Sequence, residues 1–194
     1  MTAATASPAS PGAVLDTARL RLRPFRREDA PALAAIRSDP LVMRFMPGGE
    51  AGAEPERAAV AAERLCSAWA EAWTTPGGYA PWAVEWRGAA EGLLGHIGLR
   101  VLPEMGGETE VLWLLRRDHW GGGLATEGAR AAVAFGLGAL GLARIVAYAV
   151  PENTASLAVM RRLGMRADGE VEAFGLRAAR YALGAPPAAA PAGP

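Results

Sequence analysis

The amino-acid sequence predicts one α/β domain of the α+β type, and three observations lead to that class. Alternation of apolar and polar residues indicates strands, first near residues 18–25 and then over 79–86. Apolar residues at helical spacing over 55–73 indicate an amphipathic helix. Three glycines at 121–123 separate an apolar, strand-like segment from a long Ala-rich one.

The predicted elements follow in the order β-α-α-β-β-β-α-β-α-β-β. Asp29 and Pro31 are typical of a helix start and begin the first helix. Strands at 79–86, 93–102 and 108–115 are separated by turn signals, which predicts an antiparallel meander. After the meander come a long helix, a strand, a second helix and a last hairpin, at 121–140, 143–150, 151–163 and 165–183.

Length and composition exclude several classes of protein. With 194 residues, 51% of them hydrophobic, the chain can form one domain with a substantial core. Residues 1–15 are predicted to be a disordered tail and 185–194 a Pro/Ala-rich tail, which leaves 16–184 as the domain. The formal net charge of +0 argues against nucleic-acid binding through a basic surface. The basic residues are all Arg, so no Lys nucleophile is available.

Metal and membrane sites are also not expected. Cys66 is the single cysteine, and His96 and His119 are the two histidines, so a Cys/His metal cluster is improbable. The N-terminal residues lack the basic and apolar regions of a signal peptide. The longest apolar run, 131–143, is too short to cross a bilayer. We therefore expect a cytoplasmic protein without metal or membrane partner.

The glycine run is the strongest candidate for a binding site. Glycine allows backbone N–H groups to approach an anion, and a helix start adds unpaired N–H groups and a positive dipole end. A dinucleotide fingerprint would need a third glycine where Thr126 stands, and a P-loop would need a Lys. A phosphate-binding loop and a simple glycine turn both remain open on the glycines alone.

Two motifs together resemble the GNAT N-acetyltransferase superfamily. Residues 120–127, W-G-G-G-L-A-T-E, resemble its acyl-CoA pyrophosphate loop, with Trp120 where Gln or Arg is usual, as in the ribosomal-protein-alanine acetyltransferase (RimJ/RimL) branch. One strand later, N-T-A-S at 153–156 followed by Gly164 resembles the next signature. The opening R-L-x-L-R-P-F and D-P-x-V-M-x-F-M patterns resemble the same branch, so the resemblance covers nearly all of 16–184.

This resemblance implies the GNAT fold, a mixed and mostly antiparallel sheet of about seven strands with four helices, whose central parallel strands splay apart to bind acyl-CoA. It also implies acetyl-CoA as cosubstrate. The residues expected to bind it are Trp113, Leu114, Leu115, Trp120, Gly121, Gly122, Gly123, Leu124, Ala125, Thr126 and Asn153. Asn153 could equally serve as a helix N-cap. Candidates for the 3′-phosphate, or else solvated surface charges, are Arg117, Arg161 and Arg162.

The acid–base residues are less clear. Most relatives of this fold place a Tyr acid seven residues after the Asn, where this chain has Met160. Ser156 is the substitute proton donor, and Glu110, at the start of the strand before the loop, is the candidate general base. Glu108 and His96 are alternative bases, although such a His is more often structural. Glu127 is interpreted as a helix-start acid, because a carboxylate facing pyrophosphate would repel it.

The predicted function is transfer of an acetyl group to a primary amine, on either a protein N-terminus or a small molecule. The alternatives are a catalytically degenerate acyl-CoA sensor and a domain that binds another nucleotide. The aromatic residues Trp69, Trp73 and Tyr79 either line the acceptor cleft or belong to the core. A homodimer is the general expectation for an enzyme of this size.

Overall fold

The computed structural model describes residues 12–89 and 91–184, which form one mixed sheet with helices on both faces. The strands are β1 Leu15–Asp16, β2 Leu20–Pro24, β3 Trp82–Trp86, β4 Gly95–Leu102, β5 Glu108–Leu115, β6 Arg144–Ala149, β7 Arg166–Ala173 and β8 Leu176–Gly184. The helices are α1 Ala30–Arg37, α2 Pro40–Met43, α3 Pro55–Ala72, α4 Leu124–Gly138 and α5 Thr154–Arg162. Across the sheet the strand order is β1-β2-β3-β4-β5-β6-β8-β7.

The predicted mixed, mostly antiparallel sheet is confirmed, with one strand and one helix more than expected. The additional strand is β1, in which Leu15 pairs with Leu22, so it begins inside the segment assigned to the N-terminal tail. The additional helix is the short α2, whose first turn is stabilised because the Asp39 carboxylate accepts a hydrogen bond from the Leu41 N–H at 2.9 Å. Residues 1–11 and the predicted tail at 185–194 lie outside the described residues.

The core lies between the sheet and its helices. Neighbouring side chains on β4 point to opposite faces: Ile97 packs on Gly128 of α4, whereas the His96 ring contacts the Trp69 ring of α3 at 4.9 Å between centroids. Trp69 and Trp73 are 8% and 3% exposed, which confirms the core interpretation of these aromatics. Tyr79 packs on the same core and bonds Thr109 through its hydroxyl.

The central parallel pair opens along its length. β5 is paired with β4 over all eight residues, from Glu108–Leu102 to Leu115–Gly95. Its pairing with the parallel β6, in the described part of the sheet, is a single register position, Glu110 with Val146. Beyond Glu110 the two strands therefore separate, and the edge of β5 that faces β6 keeps backbone groups without a strand partner.

Candidate active site

A cleft of about 580 Å³ occupies the gap between β5 and β6. Its floor is the separated part of β5, and one end is formed by the glycine loop and the start of α4. The start of α5, the segment from Leu41 to Pro47 and the β7–β8 hairpin supply the rest of its lining. Twelve of the predicted site residues line this cleft: Glu110, Trp113, Leu114, Leu115, Trp120, Gly121, Gly123, Leu124, Ala125, Thr126, Asn153 and Ser156.

The glycine loop delivers a helix N-terminus to the cleft. Gly121 and Gly123 have φ values of 78° and 79°, a left-handed conformation that side chains with a Cβ rarely adopt. For this reason α4 begins at Leu124 and not at Gly121 as predicted, with Gly123 as its N-cap. The N–H groups of the first helical turn have no intrahelical partner. The Thr126 Oγ1 atom is buried there without a hydrogen-bond partner among the described residues, so the pocket fits an anionic, hydrogen-bond-accepting ligand.

Gly122 and Glu127 lie on the outer side of this loop. The Glu127 carboxylate accepts hydrogen bonds from the Thr17 hydroxyl at 2.6 Å and from Arg19 Nε at 2.7 Å. Arg19 Nη1 in turn donates to the Gly122 carbonyl oxygen at 2.9 Å. Gly122 was predicted to bind cofactor; it is not among the residues that line the cleft, and its carbonyl oxygen is bonded to Arg19. We call the Arg19–Glu127–Gly122 contacts the loop clamp.

Trp120 fixes the loop to the end of β5. Its ring is 51% exposed, and its indole N–H donates to the Leu115 carbonyl oxygen at 2.8 Å. The indole thus positions the first residue of the loop. Trp120 brings no positive charge to this position. The backbone groups of Leu114 point toward β4, where Leu114 pairs with His96. Since the Leu115 carbonyl is engaged by the indole, the backbone groups of Trp113 and the N–H of Leu115 are the ones left for a ligand.

Helix α5 brings Asn153 and Ser156 to the cleft. Asn153 is the N-cap of α5, and its Oδ1 atom accepts a hydrogen bond from the Ser156 N–H at 3.1 Å. Asn153 lines the cleft, and capping through Oδ1 leaves its amide Nδ2 as a further donor, so capping and ligand binding are compatible. Met160, at the position of the usual Tyr acid, is 1% exposed and packs in the core.

Glu110 is a buried carboxylate at the point where the strands separate. Its residue is 5% exposed, and its Oε2 atom is 2.6 Å from Nε of Arg100, the residue directly opposite on β4. Burial raises the pKa of Glu110, and the charge and hydrogen bond of Arg100 oppose that shift only in part. A carboxylate with a raised pKa in a cleft is a stronger base than an ordinary surface glutamate.

The alternative bases are placed differently. Glu108 accepts a hydrogen bond from the Tyr148 hydroxyl, lies 3.5 Å from Arg180, and is not part of the cleft lining. His96 is 1% exposed and faces Trp69 on the opposite side of the sheet. Burial, together with the charges of Arg37 and Arg100, lowers the pKa of His96 to about 3. Neither residue therefore competes with Glu110 as a base in the cleft.

The three arginines that were candidates for binding a 3′-phosphate differ in their position relative to the cleft. Arg117 is paired with Asp39 at 3.1 Å, and Arg161 is exposed outside the cleft lining. Arg162 lines the cleft next to α5 and is the best placed of the three.

Several residues that line the cleft were not identified from the sequence, among them Arg100, Tyr148 and Phe174. Arg100 could have been found, because pairing the two strands around the 103–107 turn places it opposite Glu110. Tyr148 and Phe174 meet because β6 pairs with β8 of the predicted hairpin, and no local sequence signal indicates that pairing.

Metal sites and membrane spans were searched within residues 12–89 and 91–184. No group of three or more His, Cys, Asp or Glu side chains in that part of the chain could hold a metal ion. None of the helices there is long and apolar enough to cross a membrane.

The sequence profile described as Acetyltransferase (GNAT) domain matches residues 19–166. The chain belongs to the GNAT acetyltransferase family. This GNAT chain is 30% identical over 161 residues to the uncharacterized N-acetyltransferase YoaA of Bacillus subtilis strain 168, covering 83% of the chain and 87% of YoaA. It is 31% identical over 157 residues to the uncharacterized N-acetyltransferase YnaD of the same organism, covering 80% and 84% of the two chains.

Solved structures show the same GNAT architecture. A GNAT-family acetyltransferase from Bacillus anthracis superimposes with a TM-score of 0.70 at 25% identity, covering 89% of this chain and 98% of that one. RimJ of Mycobacterium smegmatis, in complex with CoA-disulfide, gives a TM-score of 0.67 at 22% identity and covers 90% and 88%. RimL, a ribosomal L7/L12 α-N-protein acetyltransferase in complex with CoA, superimposes with a TM-score of 0.68 at 14% identity. The match covers 89% of this chain and 98% of RimL. The resemblance to the RimJ/RimL branch is therefore supported at the level of the fold.

Proposed function

We propose that this GNAT chain is an acetyl-CoA-dependent N-acetyltransferase that transfers the acetyl group directly to a primary amine in a ternary complex. The observation that supports it best is the cleft that opens where β5 and β6 separate beyond Glu110. One end of that cleft is a helix N-terminus, which suits phosphate, and Glu110 supplies a buried carboxylate, which suits an amine. A CoA thioester bound along the cleft would have its phosphates at the helix N-terminus and its acetyl group within reach of an amine at Glu110.

The proposed binding mode uses backbone groups for most of the cosubstrate. The pyrophosphate lies on N–H groups of the loop and of the first turn of α4, from Trp120 to Thr126. The peptide-like pantetheine arm pairs with the free edge of β5 at Trp113 and at the N–H of Leu115, and the Asn153 amide adds a donor from the other side. Arg162 is the proposed partner of the 3′-phosphate.

The proposed chemistry assigns one proton transfer to each side of the cleft. The neutral amine attacks the thioester carbonyl carbon, a C–N bond forms, and the C–S bond breaks. Glu110 accepts the proton of the attacking amine, directly or through water, while Arg100 holds the carboxylate in place. The Ser156 hydroxyl donates a proton to the departing CoA thiolate and is itself restored from water. Positioning of the two substrates supplies much of the rate.

Substitution of Glu110 tests the base assignment. Glu110→Gln should lower kcat/KM for the amine by about 10²- to 10⁴-fold, the usual contribution of a general base, and leave the Kd for CoA unchanged. The control is Glu108→Gln, which keeps an acceptor for the Tyr148 hydroxyl outside the cleft and should retain activity. Activity in Glu110→Gln together with its loss in Glu108→Gln would show that the base is misassigned.

The pH profile gives an independent measurement. A base must be deprotonated, and burial raises the pKa of Glu110, so the wild-type rate should fall on acidification at a pH above the ordinary glutamate value of about 4.3. The same acidic limb should be missing from the profile of Glu110→Gln. An identical limb in both proteins would assign it to another group.

One observation favours a second function, that of an acyl-CoA sensor without turnover. Met160, where the usual acid would stand, is buried in the core and cannot donate a proton. Release of free CoA from acetyl-CoA, measured with a panel of amines and an N-terminal peptide, separates the two functions. The peptide is included because the structurally similar RimL acts on a protein α-amine. Tight CoA binding with no CoA release would support the sensor, and thermal stabilisation by ATP or NAD but not by acetyl-CoA would contradict both.

A further inference from the structure

The β7–β8 hairpin turns on a residue whose backbone is unusual for its type. Ala173 pairs with Leu176, so Phe174 and Gly175 are the two central residues of the turn, with φ values of 55° and 74°. Positive φ at both positions defines a type I′ turn, which favours Asn or Gly at the first position and disfavours a bulky residue. Phe174 is the one non-glycine residue with positive φ in the described part of the chain.

The Phe174 side chain lies in the active-site cleft. Its ring meets the Tyr148 ring edge-on, with centroids 6.1 Å apart and planes at 90°. The Arg100 guanidinium carbon lies 5.0 Å from the centroid of the Phe174 ring. Arg100 is also the partner of Glu110, so the aromatic ring is held beside the candidate base. A strained turn residue held by two further contacts at a site is a feature that points to function.

Apolar side chains from the hairpin and from the segment after Pro40 line the same cleft as this ring. Leu176, on the hairpin, is 40% exposed. Leu41, 44% exposed, lines the cleft together with Phe45 and Met46. The acidic and arginine side chains that line the cleft are Glu110, Arg100, Arg44 and Arg162, and Arg100 is already paired with Glu110. An amine that reaches Glu110 must therefore place the rest of its structure against an apolar wall.

We infer that Phe174 selects the acceptor, and that the acceptor is a primary amine carrying an apolar, ring-sized group next to the nitrogen. The ring packs against Phe174, between the hairpin and the segment from Leu41 to Pro47, while the amine faces Glu110. This inference rests on the proposed acetyl transfer to an amine, and it specifies the substrate class of that same site.

Two amines that differ in the ring test the inference. With acetyl-CoA, the wild-type chain should acetylate 2-phenylethylamine at least about tenfold more efficiently, in kcat/KM, than ethanolamine, on the scale of one aromatic contact. Phe174→Asn should bring the ratio of the two kcat/KM values to within about twofold of one, because KM rises more for 2-phenylethylamine than for ethanolamine. The KM for acetyl-CoA should not change. An unaltered preference in Phe174→Asn, or a wild-type preference for ethanolamine, would overturn the inference.

Two control experiments test the folding of the variants and the binding of the amines separately from turnover. Phe174→Asn and Phe174→Ala both lack the ring, and Phe174→Asn should melt at the higher temperature because Asn adopts positive φ more readily. If it melts at the lower temperature, the turn assignment is wrong. Binding of each amine is also followed by thermal shift with CoA present. If 2-phenylethylamine stabilises the protein more than ethanolamine does but no CoA is released, the proposed acetyl transfer is contradicted and the acceptor class is supported. If CoA is released equally with both amines, acetyl transfer is supported and the acceptor class is contradicted.

Discussion

The buried histidine of β4 should make the protein sensitive to mild acid. His96 is 1% exposed, and both ring nitrogens are without a hydrogen-bond partner among the described residues. Burial lowers its pKa to about 3 in the folded state, with smaller contributions from Arg37 and Arg100. In the unfolded chain its pKa is about 6.5. Below that value the unfolded state binds a proton that the folded state does not, so stability falls as the pH falls toward 3.

The magnitude follows from these two pKa values. Between pH 7 and pH 5, protonation of His96 in the unfolded state alone lowers the free energy of unfolding by about 2 kcal/mol. The folded-state pKa lies well below this window, so the loss depends almost entirely on the unfolded value. Carboxylates with ordinary pKa values contribute little above pH 5 because they are ionised in both states.

Two substitutions isolate this effect. His96→Leu removes the titrating group and both unsatisfied nitrogens, and His96→Asn keeps a polar group that does not titrate. Urea denaturation at the two pH values should show that both variants lose about 2 kcal/mol less than the wild type on acidification, whatever their stability at pH 7. If both variants keep the wild-type pH dependence, His96 does not remain neutral in the folded protein.

Two further predictions use matched pairs of variants. Arg19→Ala removes the loop clamp and should weaken CoA binding several-fold, as measured by calorimetry. The control is the neighbouring Arg21→Ala, which loses an exposed contact to Asp16 at 3.9 Å and should bind CoA like the wild type. Equal affinities in the two variants would show that the clamp does not position the loop. Gly98→Ala puts a Cβ 2.5 Å from Pro81 Cα and should destabilise by about 1–3 kcal/mol in urea. Gly138→Ala, with open space at the end of α4, should be neutral or stabilising, and equal losses in the two glycine variants would contradict the packing.

Much of the fold could be predicted because its signals are local. Strands β4 and β5 could be placed because turn residues separate them, and the end of α5 is marked by Gly164, which has a φ of 81°. The glycine loop was recognisable as a candidate anion site because glycine spacing and a helix start lie within a few residues. The start of α4 was misplaced by three residues, since a helical pattern does not show where positive φ ends.

The loop clamp and the position of Phe174 in the cleft could not be predicted in this way. Arg19 reaches Gly122 across 103 positions of sequence, and that contact depends on how β2 and α4 pack. The contact of the Gly122 carbonyl could not be predicted for the same reason, since its partner is a distant arginine. Asn153 could not be assigned to capping or to binding until the direction of its Oδ1 atom was known.

The sequence by itself determined the order of elements, the family resemblance, and the residue types at the anion loop. These properties depend on periodicity, backbone freedom at glycine, and helix capping, which act over a few neighbouring residues. Only the tertiary structure decided which carboxylate enters the cleft. Glu108 and Glu110 lie on one strand two residues apart, yet Glu110 is buried against Arg100 in the cleft and Glu108 is held by Tyr148 outside its lining. The register of β4 and the separation of β6 from β5 make that difference, and both are set by packing between segments far apart in the chain.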